Sequence, residues 1–273
     1  MDARVQRRIQ RYGWDLAAPR YEALWQAQLA EAQAGLLAAA ALQPGERVLD
    51  VACGTGCVTL AAARAVGSGG RVLGVDLSGA MVDTARQQAA LQALPCVTFE
   101  RMDAEQLALP DAGVDVVLCA LGLMYMPDPE RALREMRRVL RPGGRLVAAV
   151  WGERARCGWA AIFELVDAEV ASEVCPFFFR LGQTGALARA CSDAQLEVLS
   201  QRRIDTALVY ADAEEACEAA FAGGPVALAW SRFDEAVRAR VRAGYVAALA
   251  PWRQGAGYWV PGEFVVVAAR AAD

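Results

Sequence analysis

Residues Arg47 to Gly56, Arg-Val-Leu-Asp-Val-Ala-Cys-Gly-Thr-Gly, put an acid and two glycines where an apolar run meets an amphipathic one. Val48, Leu49 and Val51 suit a strand buried on both faces, and Gly54 and Gly56 let backbone N–H groups approach a ligand with no Cβ in the way. Cys57 to Arg64 reads as a helix whose positive end faces that turn, which favours an anionic group such as a carboxylate or phosphate. Taken alone, the turn suits a plain strand-to-helix connection equally well. The next strand, Arg71 to Asp76, changes the balance. It ends on an acid twenty residues beyond Gly56, where doubly wound folds place a carboxylate for ribose hydroxyls. The chemistry this spacing supports is the binding of an adenosine-type cofactor.

Two cofactor classes share that layout, and one position separates them. A dinucleotide fingerprint asks for a third glycine three residues after the second, where this chain has Thr59, and a count begun at Ala52 would require Cys57 as its third small residue. The chain instead resembles the class I S-adenosylmethionine-dependent methyltransferases, most closely the UbiE-like branch that acts on small molecules. The resemblance rests on Asp50 to Gly56, on Asp76-Leu77-Ser78-Gly79-Ala80-Met81, on Asp103-Ala104-Glu105, on Asp115 to Ala120, and on Arg141-Pro142-Gly143-Gly144-Arg145; it spans about residues 44–151. Ala52 replaces a glycine often found there, one small residue for another.

The resemblance implies S-adenosyl-L-methionine as cofactor, with Asp50 and the backbone from Ala52 through Cys53 and Gly54 to Gly56 holding the methionine part. It further implies Asp76 at the ribose, Leu77 and Met81 against the adenine, and Asp103 and Ala104 at the adenine amino edge. Cys119 and Leu121, at the end of the fourth strand, would border the reacting methyl group. Two of these acids keep ordinary alternatives: Asp50 as a turn residue, and Asp103 as a helix cap or Asx turn ahead of Leu107 to Pro110. Trp14, Tyr21, Tyr125, Trp151, Phe177 and Phe178 lie on segments expected to converge on the acceptor, although aromatic residues in such segments serve equally as core. Tyr125 and Glu153 are the candidates for a proton-accepting group; no catalytic residue stands out. That matters less than usual because the sulfonium is an activated donor, and positioning with exclusion of water supplies much of the rate.

The elements that must position these groups follow from periodicity. Residues 1–43 read as helical, with Tyr21, Leu24, Trp25 and Leu29 three and four apart before Pro44-Gly45. Short apolar strands near 47–51, 71–75, 97–100, 114–119 and 145–150 alternate with helices, the pattern of βαβ units, and Asp128-Pro129 marks a helix start. Further strands are expected at 196–209 and 263–269. The expectation is an α/β, doubly wound, mostly parallel seven-stranded sheet in one methyltransferase domain. Residues 1–43 form a lid, 44–151 the cofactor core, and 152–195 and 211–250 helical cap insertions. Arg131, Glu135 and Arg138 read as the solvated face of one helix.

Composition narrows the function. The chain has 273 residues, 56% of them hydrophobic, enough for a well-buried core. Its net charge of −4 gives no global field to recruit nucleic acid or an anionic membrane. Histidine is absent and every basic side chain is arginine, so Schiff-base and pyridoxal chemistry, P-loop phosphate binding and His-based triads lack their residues. The eight cysteines have irregular spacing among apolar neighbours and no Cys-x-x-Cys pair, which suits buried thiols rather than disulfides or a metal site. The start is charged where a signal peptide needs an apolar core, and no run reaches the length of a membrane span, so a cytoplasmic protein is expected. The leading function is methyl transfer to a small, largely apolar metabolite. The competing readings are an NAD-dependent oxidoreductase and a cofactor-binding regulator of the same fold that lacks turnover.

Overall fold

A computed structural model describes residues 3–171 and 174–272. The chain opens with one long helix, α1 (Ala3–Ala40), and then alternates strand and helix: β1 (Arg47–Val51), α2 (Cys57–Val66), β2 (Arg71–Asp76), α3 (Gly79–Leu91), β3 (Val97–Arg101) and β4 (Val114–Ala120). The alternation continues with α4 (Pro129–Val139) and β5 (Leu140–Trp151). Two short helices follow, α5 (Ala161–Asp167) and α6 (Ala186–Asp193), then β6 (Leu196–Tyr210) and the trio α7 (Ala213–Ala222), α8 (Ala227–Arg232) and α9 (Glu235–Leu249). A two-residue β7 (Arg253–Gln254) and the long β8 (Gly257–Ala271) complete the order.

The strands form one sheet in the order β3-β2-β1-β4-β5-β8-β6, with β7 paired to β8. Strands β1 to β5 are mutually parallel, and β8 runs against both its neighbours. The seven-stranded expectation therefore stands, with the small β7 as an eighth member. Strands β5 and β8 are longer than 145–150 and 263–269. Leu140 pairs with Val114 ahead of a register shift, and the far end of β8 continues as an antiparallel ribbon with β6 as far as Tyr210 opposite Tyr258. Periodicity understates such ends because Pro142, Gly143, Gly144 and Pro261 interrupt the apolar pattern without ending the backbone pairing.

Both faces of the central strands are buried, and the period of two divides their residues. Val48, Val116, Leu118, Val147 and Ala149 pack with α2 and with Leu36 and Ala40 of α1. Leu49, Val51, Val117, Cys119, Leu146, Ala148 and Val150 face the other way, into the larger core with Leu133 and Met136 of α4. This explains the near-continuous apolar reading of the strands. Helix α1 buries Ala32, Leu36 and Ala40 at four-residue spacing, and its Gln28 amide exchanges hydrogen bonds with the Val209 backbone at 2.6 and 3.0 Å. That contact pairs part of the β6 edge, which would otherwise present free backbone groups.

Helix starts follow side-chain caps. Ser78 Oγ accepts from Met81 N, Asp128 from Arg131 N with Pro129 in the first turn, Asp212 from Glu215 N and Asp234 from Val237 N. Arg138 departs from the solvated-face expectation. Its guanidinium donates to the Leu107 and Leu109 carbonyls, to Asp111 and to Glu135, all within 2.6–2.9 Å, and so fastens the loop after β3 to α4. No helix among the described residues is long and apolar enough to cross a membrane. All eight cysteines are free, six of them buried.

Candidate active site

At the carboxyl end of β1, Asp50 is fully buried, and the chain then turns through left-handed backbone at Ala52 (φ 56), Gly54 (φ 55) and Gly56 (φ 90). Gly56 is obligatory on two counts. A Cβ there would sit 3.0 Å from the Phe99 ring and 3.1 Å from Ala85, and its φ is one that side chains avoid. Across the β1 and β4 ends, Leu121 is also left-handed at φ 60, and Gly122 approaches Ala52 so closely that an added Cβ would lie 2.5 Å from the alanine methyl. Two non-glycine residues in strained backbone thus face each other where doubly wound sheets open, a concentration typical of ligand sites.

The acids are wired to this turn. Asp76 accepts from Gly54 N and from Ser78 N, each at 2.9 Å, one bond per carboxylate oxygen. A carboxylate offers about four acceptor positions, so two stay available for ribose hydroxyls. Burial raises its pKa above the ordinary range. Asp50 accepts from Thr59 Oγ1 at 2.6 Å through one oxygen, while the other is buried without a partner. Its pKa is pushed up to about 7, first by burial and further by the charge of Asp76, with the Thr59 hydroxyl acting against both. The Thr59 that breaks the dinucleotide fingerprint is therefore the hydrogen-bond donor to the strand-end acid.

These groups lie on or against an open cavity whose empty space, adjoining solvent included, is about 1060 Å³. One wall consists of Ala52, Gly54, Asp76, Leu77, Met81, Asp103, Ala104 and Leu121, eight of the residues expected at the cofactor. Asp50, Cys53, Gly56 and Cys119 stand behind that wall and shape it. Asp103 accepts from Glu105 N at 2.9 Å as an Asx turn, and its other oxygen lies 3.7 Å from Arg7 Nε, so the turn reading holds while the residue still borders the cavity. Glu105, almost fully buried, joins Arg7 of α1 to the Asp128 backbone. Asp15 of α1 accepts from Ser78 Oγ at 2.6 Å and Ala80 N at 3.3 Å, at the start of α3.

Aromatic rings supply much of the remaining lining. Trp14, Tyr21, Tyr125 and Trp151 belong to it as expected, with Trp14 edge-on to Tyr21 and Tyr125 at 5.7 and 5.0 Å. Three expected residues are placed elsewhere. Phe177 is 53% exposed and stacks under Arg180, away from the cavity. Phe178 is buried behind the wall, against Tyr125 and Trp159. Glu153 lies outside, accepting from Thr184 Oγ1 at 2.6 Å and paired with Arg203, contacts that hold its carboxyl below the usual range; its position gives it no route to the cavity as a base. Tyr125 stays on the wall, but burial raises its phenol well above the ordinary range, so it holds its proton.

Sequence reasoning missed Gln10, Trp25 and Leu29 of α1, Trp159, and Gly224 with Pro225. The α1 residues had a legible signal, since Gln10, Trp14, Tyr21, Trp25 and Leu29 continue one stripe at helical spacing and a glutamine within an aromatic stripe is itself unusual. Trp159 had none, because its short 3-10 turn, Gly158–Ala160, has no periodicity.

A doubly wound sheet with a glycine turn after β1, an acid at the end of β2 and an Asx turn after β3 is the arrangement expected from the resemblance to the class I S-adenosylmethionine-dependent methyltransferases. The residues present fit that cofactor: the buried Asp50, one oxygen of which has no partner, suits a cation, Asp76 on the cavity lining keeps acceptor positions for hydroxyls, and Leu77, Met81 and Ala104 lie with Asp103 on the same lining. Residues 49–148, which carry β1 to most of β5, match the methyltransferase domain family. The chain is 44% identical over 104 residues to the ubiquinone/menaquinone biosynthesis C-methyltransferase UbiE of Azotobacter vinelandii, a match covering 38% of this chain and 41% of that protein. The chain spans between 30 and 52% of the length of the curated relatives it matches. Among solved structures, YcgJ of Bacillus subtilis superposes with a TM-score of 0.64 at 18% identity over 89% of this chain and 99% of that one. The cyclase SpnF does so with a TM-score of 0.59 at 23% identity, covering 89% and 80%. Both share the fold. The match to a methyltransferase domain gives no support to an NAD-dependent oxidoreductase.

Proposed function

We propose that this protein transfers the methyl group of S-adenosylmethionine to a small, largely apolar metabolite by in-line displacement. One observation carries the reading: a single cavity is lined by the glycine turn, by carboxylates and by aromatic rings. Asp76 and Asp103 would hold the adenosine half, Asp50 the cationic amino-acid half from behind the turn, and Leu121 the floor beneath the reacting carbon. Bound there, the cofactor would supply an electrophilic methyl on a sulfonium sulfur, with the neutral thioether as the leaving group for an acceptor's electron pair.

The protein's part is orientation and exclusion of water. Burial raises the Tyr21 and Tyr125 phenols, so neither takes a proton readily near neutrality. The acceptor therefore arrives ionised or sheds its proton to water. A UbiE relative is named for ubiquinone and menaquinone biosynthesis, which supports a ring-bearing acceptor for this chain as well. The acidic net charge supports a metabolite over nucleic acid, and the eight free thiols suit a reducing, cytoplasmic setting. We read residues 3–40, the 152–195 segment and the helical trio near 211–250 as lid and caps of one domain.

The test is calorimetric titration with S-adenosylmethionine, S-adenosylhomocysteine and NAD. The adenosyl ligands are expected to bind and NAD to bind far more weakly; the reverse order ends the proposal. Transfer of a labelled methyl to an acceptor panel then separates an enzyme from a cofactor-binding regulator.

A further inference from the structure

Two turns of the cavity lining are built alike, and α1 is fastened to both. Asp76 accepts from Ser78 N and Asp103 from Glu105 N, each at 2.9 Å, so each acid is held by the backbone two residues on. In each turn that second residue is buried and gives its side chain to α1. The Ser78 hydroxyl donates to Asp15 at 2.6 Å, and Arg7 donates to the Glu105 carboxylate. Arg7 and Asp15 stand eight residues apart, about 12 Å along the helix axis, so α1 spans the two turns.

Both ties reach into the cofactor lining. Ser78 Oγ also accepts from Met81 N at 3.2 Å, and the same Asp15 oxygen accepts from Ala80 N at 3.3 Å, so Asp15 helps to fix the start of α3 between Leu77 and Met81 of the cavity. Glu105 takes Asp128 N at 3.1 Å with its other oxygen, and Arg7 Nε lies 3.7 Å from Asp103. A hydroxyl has one proton to give, and that of Ser78 is given to α1. A ligand that holds Asp76 and Asp103 in place therefore holds the partners of Asp15 and Arg7 as well. By reciprocity, a seated α1 strengthens that ligand by the same factor.

Resting on the methyltransferase reading, we infer that Arg7 and Asp15 are positioning residues that sense the adenosine half of the cofactor. Through Glu105 and Ser78 they turn its binding at Asp103 and Asp76 into closure of α1. Closure seats Trp14, the neighbour of Asp15 in the chain, edge-on to Tyr125 at 5.0 Å in the aromatic lining. The amino-acid half has a different line to the helix, since Tyr21 stands 3.9 Å from where a Gly54 Cβ would lie. The two routes are separable by ligand.

The probe is 5′-methylthioadenosine, which has the adenosine half and no amino acid, compared with S-adenosylhomocysteine by calorimetry and by amide exchange over residues 5–20. In the wild type it is expected to slow exchange over residues 5–15 as S-adenosylhomocysteine does. Asp15→Ala and Arg7→Met each remove one tie. Each should weaken 5′-methylthioadenosine by about three- to tenfold, the range of one net hydrogen bond, and shrink the protection it gives at saturation. Asp15→Asn, which keeps an oxygen for the Ser78 hydroxyl, should restore both. A merely structural tie would speed exchange in the free protein and leave the protection added by ligand unchanged, and that result overturns the inference. Protection by S-adenosylhomocysteine alone also overturns it, because closure then belongs to the amino-acid half and Tyr21. So do an Asp15→Asn variant as weak as Asp15→Ala, and 5′-methylthioadenosine that does not bind at millimolar concentration. If a variant does not fold, the comparison of the two ligands on the wild type decides. Failure to bind S-adenosylhomocysteine would instead overturn the methyltransferase reading, a separate and visible result.

Discussion

Asp50 and Asp76 sit on adjacent parallel strands, and the fold keeps both from the solvent that would favour their ionisation. For Asp50 the sign is definite. Below about pH 4 it is neutral whether the chain is folded or not. As pH rises toward about 7 the unfolded chain ionises while the fold keeps the proton, so Asp50 lowers stability across that window and adds no further slope above it. Asp50→Asn, which preserves an acceptor for Thr59, should therefore gain stability over the wild type between pH 4 and 7, by a few kcal/mol, on the order of 3–4 from the size of the shift. Paired denaturant titrations across that window check it, and parallel pH profiles would show that Asp50 ionises normally. A cationic ligand beside Asp50 reverses the preference, so cofactor binding near pH 6 should release a proton, read from the buffer dependence of the binding enthalpy. Asp76→Ala should weaken S-adenosylhomocysteine binding by about 1.5–3 kcal/mol, the range for hydrogen bonds to a charged group. Part of that loss is indirect, because the carboxylate also fixes Gly54 N; Asp76→Asn, which can still accept from Gly54, should fall between the two.

Among elements, α1 joins the sheet to the cavity. Its last third is sheet core, and its first two thirds carry Arg7, Gln10, Trp14, Tyr21, Trp25 and Leu29 along the cavity. The ties near its start are polar, Arg7 to Glu105 and Asp15 to Ser78, and such ties exchange with water more easily than packed leucines. Amide exchange should accordingly be faster over residues 5–20 than over 30–40, and S-adenosylhomocysteine should slow the first stretch selectively; equal rates along the helix would contradict a lid. Tyr21 stands 3.9 Å from where a Gly54 Cβ would be, so Tyr21→Ala is expected to reduce cofactor affinity as well as turnover. Phe178→Ala acts differently. It removes a fully buried ring that backs Tyr125 and Trp159, and should cost about 3–5 kcal/mol of stability in thermal or denaturant unfolding while sparing cofactor contacts. On α4, Arg138→Ala should destabilise by about 1.5–3 kcal/mol, since it frees two loop carbonyls and two carboxylates at once.

For the molecule as a whole, the chemistry expected of a chain without histidine is transfer whose rate follows the acceptor's own ionisation. Across a series of substituted phenols the pH at half-maximal rate should track each phenol's pKa. A midpoint constant across the series would identify a protein base. SpnF, a cyclase by name, shares this fold, which is why turnover must be measured rather than assumed from architecture. The glycine turn and the strand-end acids of the cavity were legible from sequence alone. Local order dictates them: a strand that is apolar on both faces, a turn that only small residues can make, and acids at strand ends must meet at one edge of a parallel sheet whatever surrounds them. The five parallel strands and the side-chain caps follow from the same short-range rules. Residues brought together from distant segments were another matter. Phe177 and Phe178 are neighbours in the chain, yet one faces solvent and the other the core, and Glu153 was drawn away by Thr184 and Arg203, partners 31 and 50 positions further on. Trp159 met Trp25 and Trp151 only because the chain after β5 folds back beneath α1. Such encounters depend on packing between segments as far apart as the 134 positions from Trp25 to Trp159, and no local period records them; the aromatic lining of the cavity is therefore a property of the tertiary structure, and its glycine turn and strand-end acids a property of the sequence.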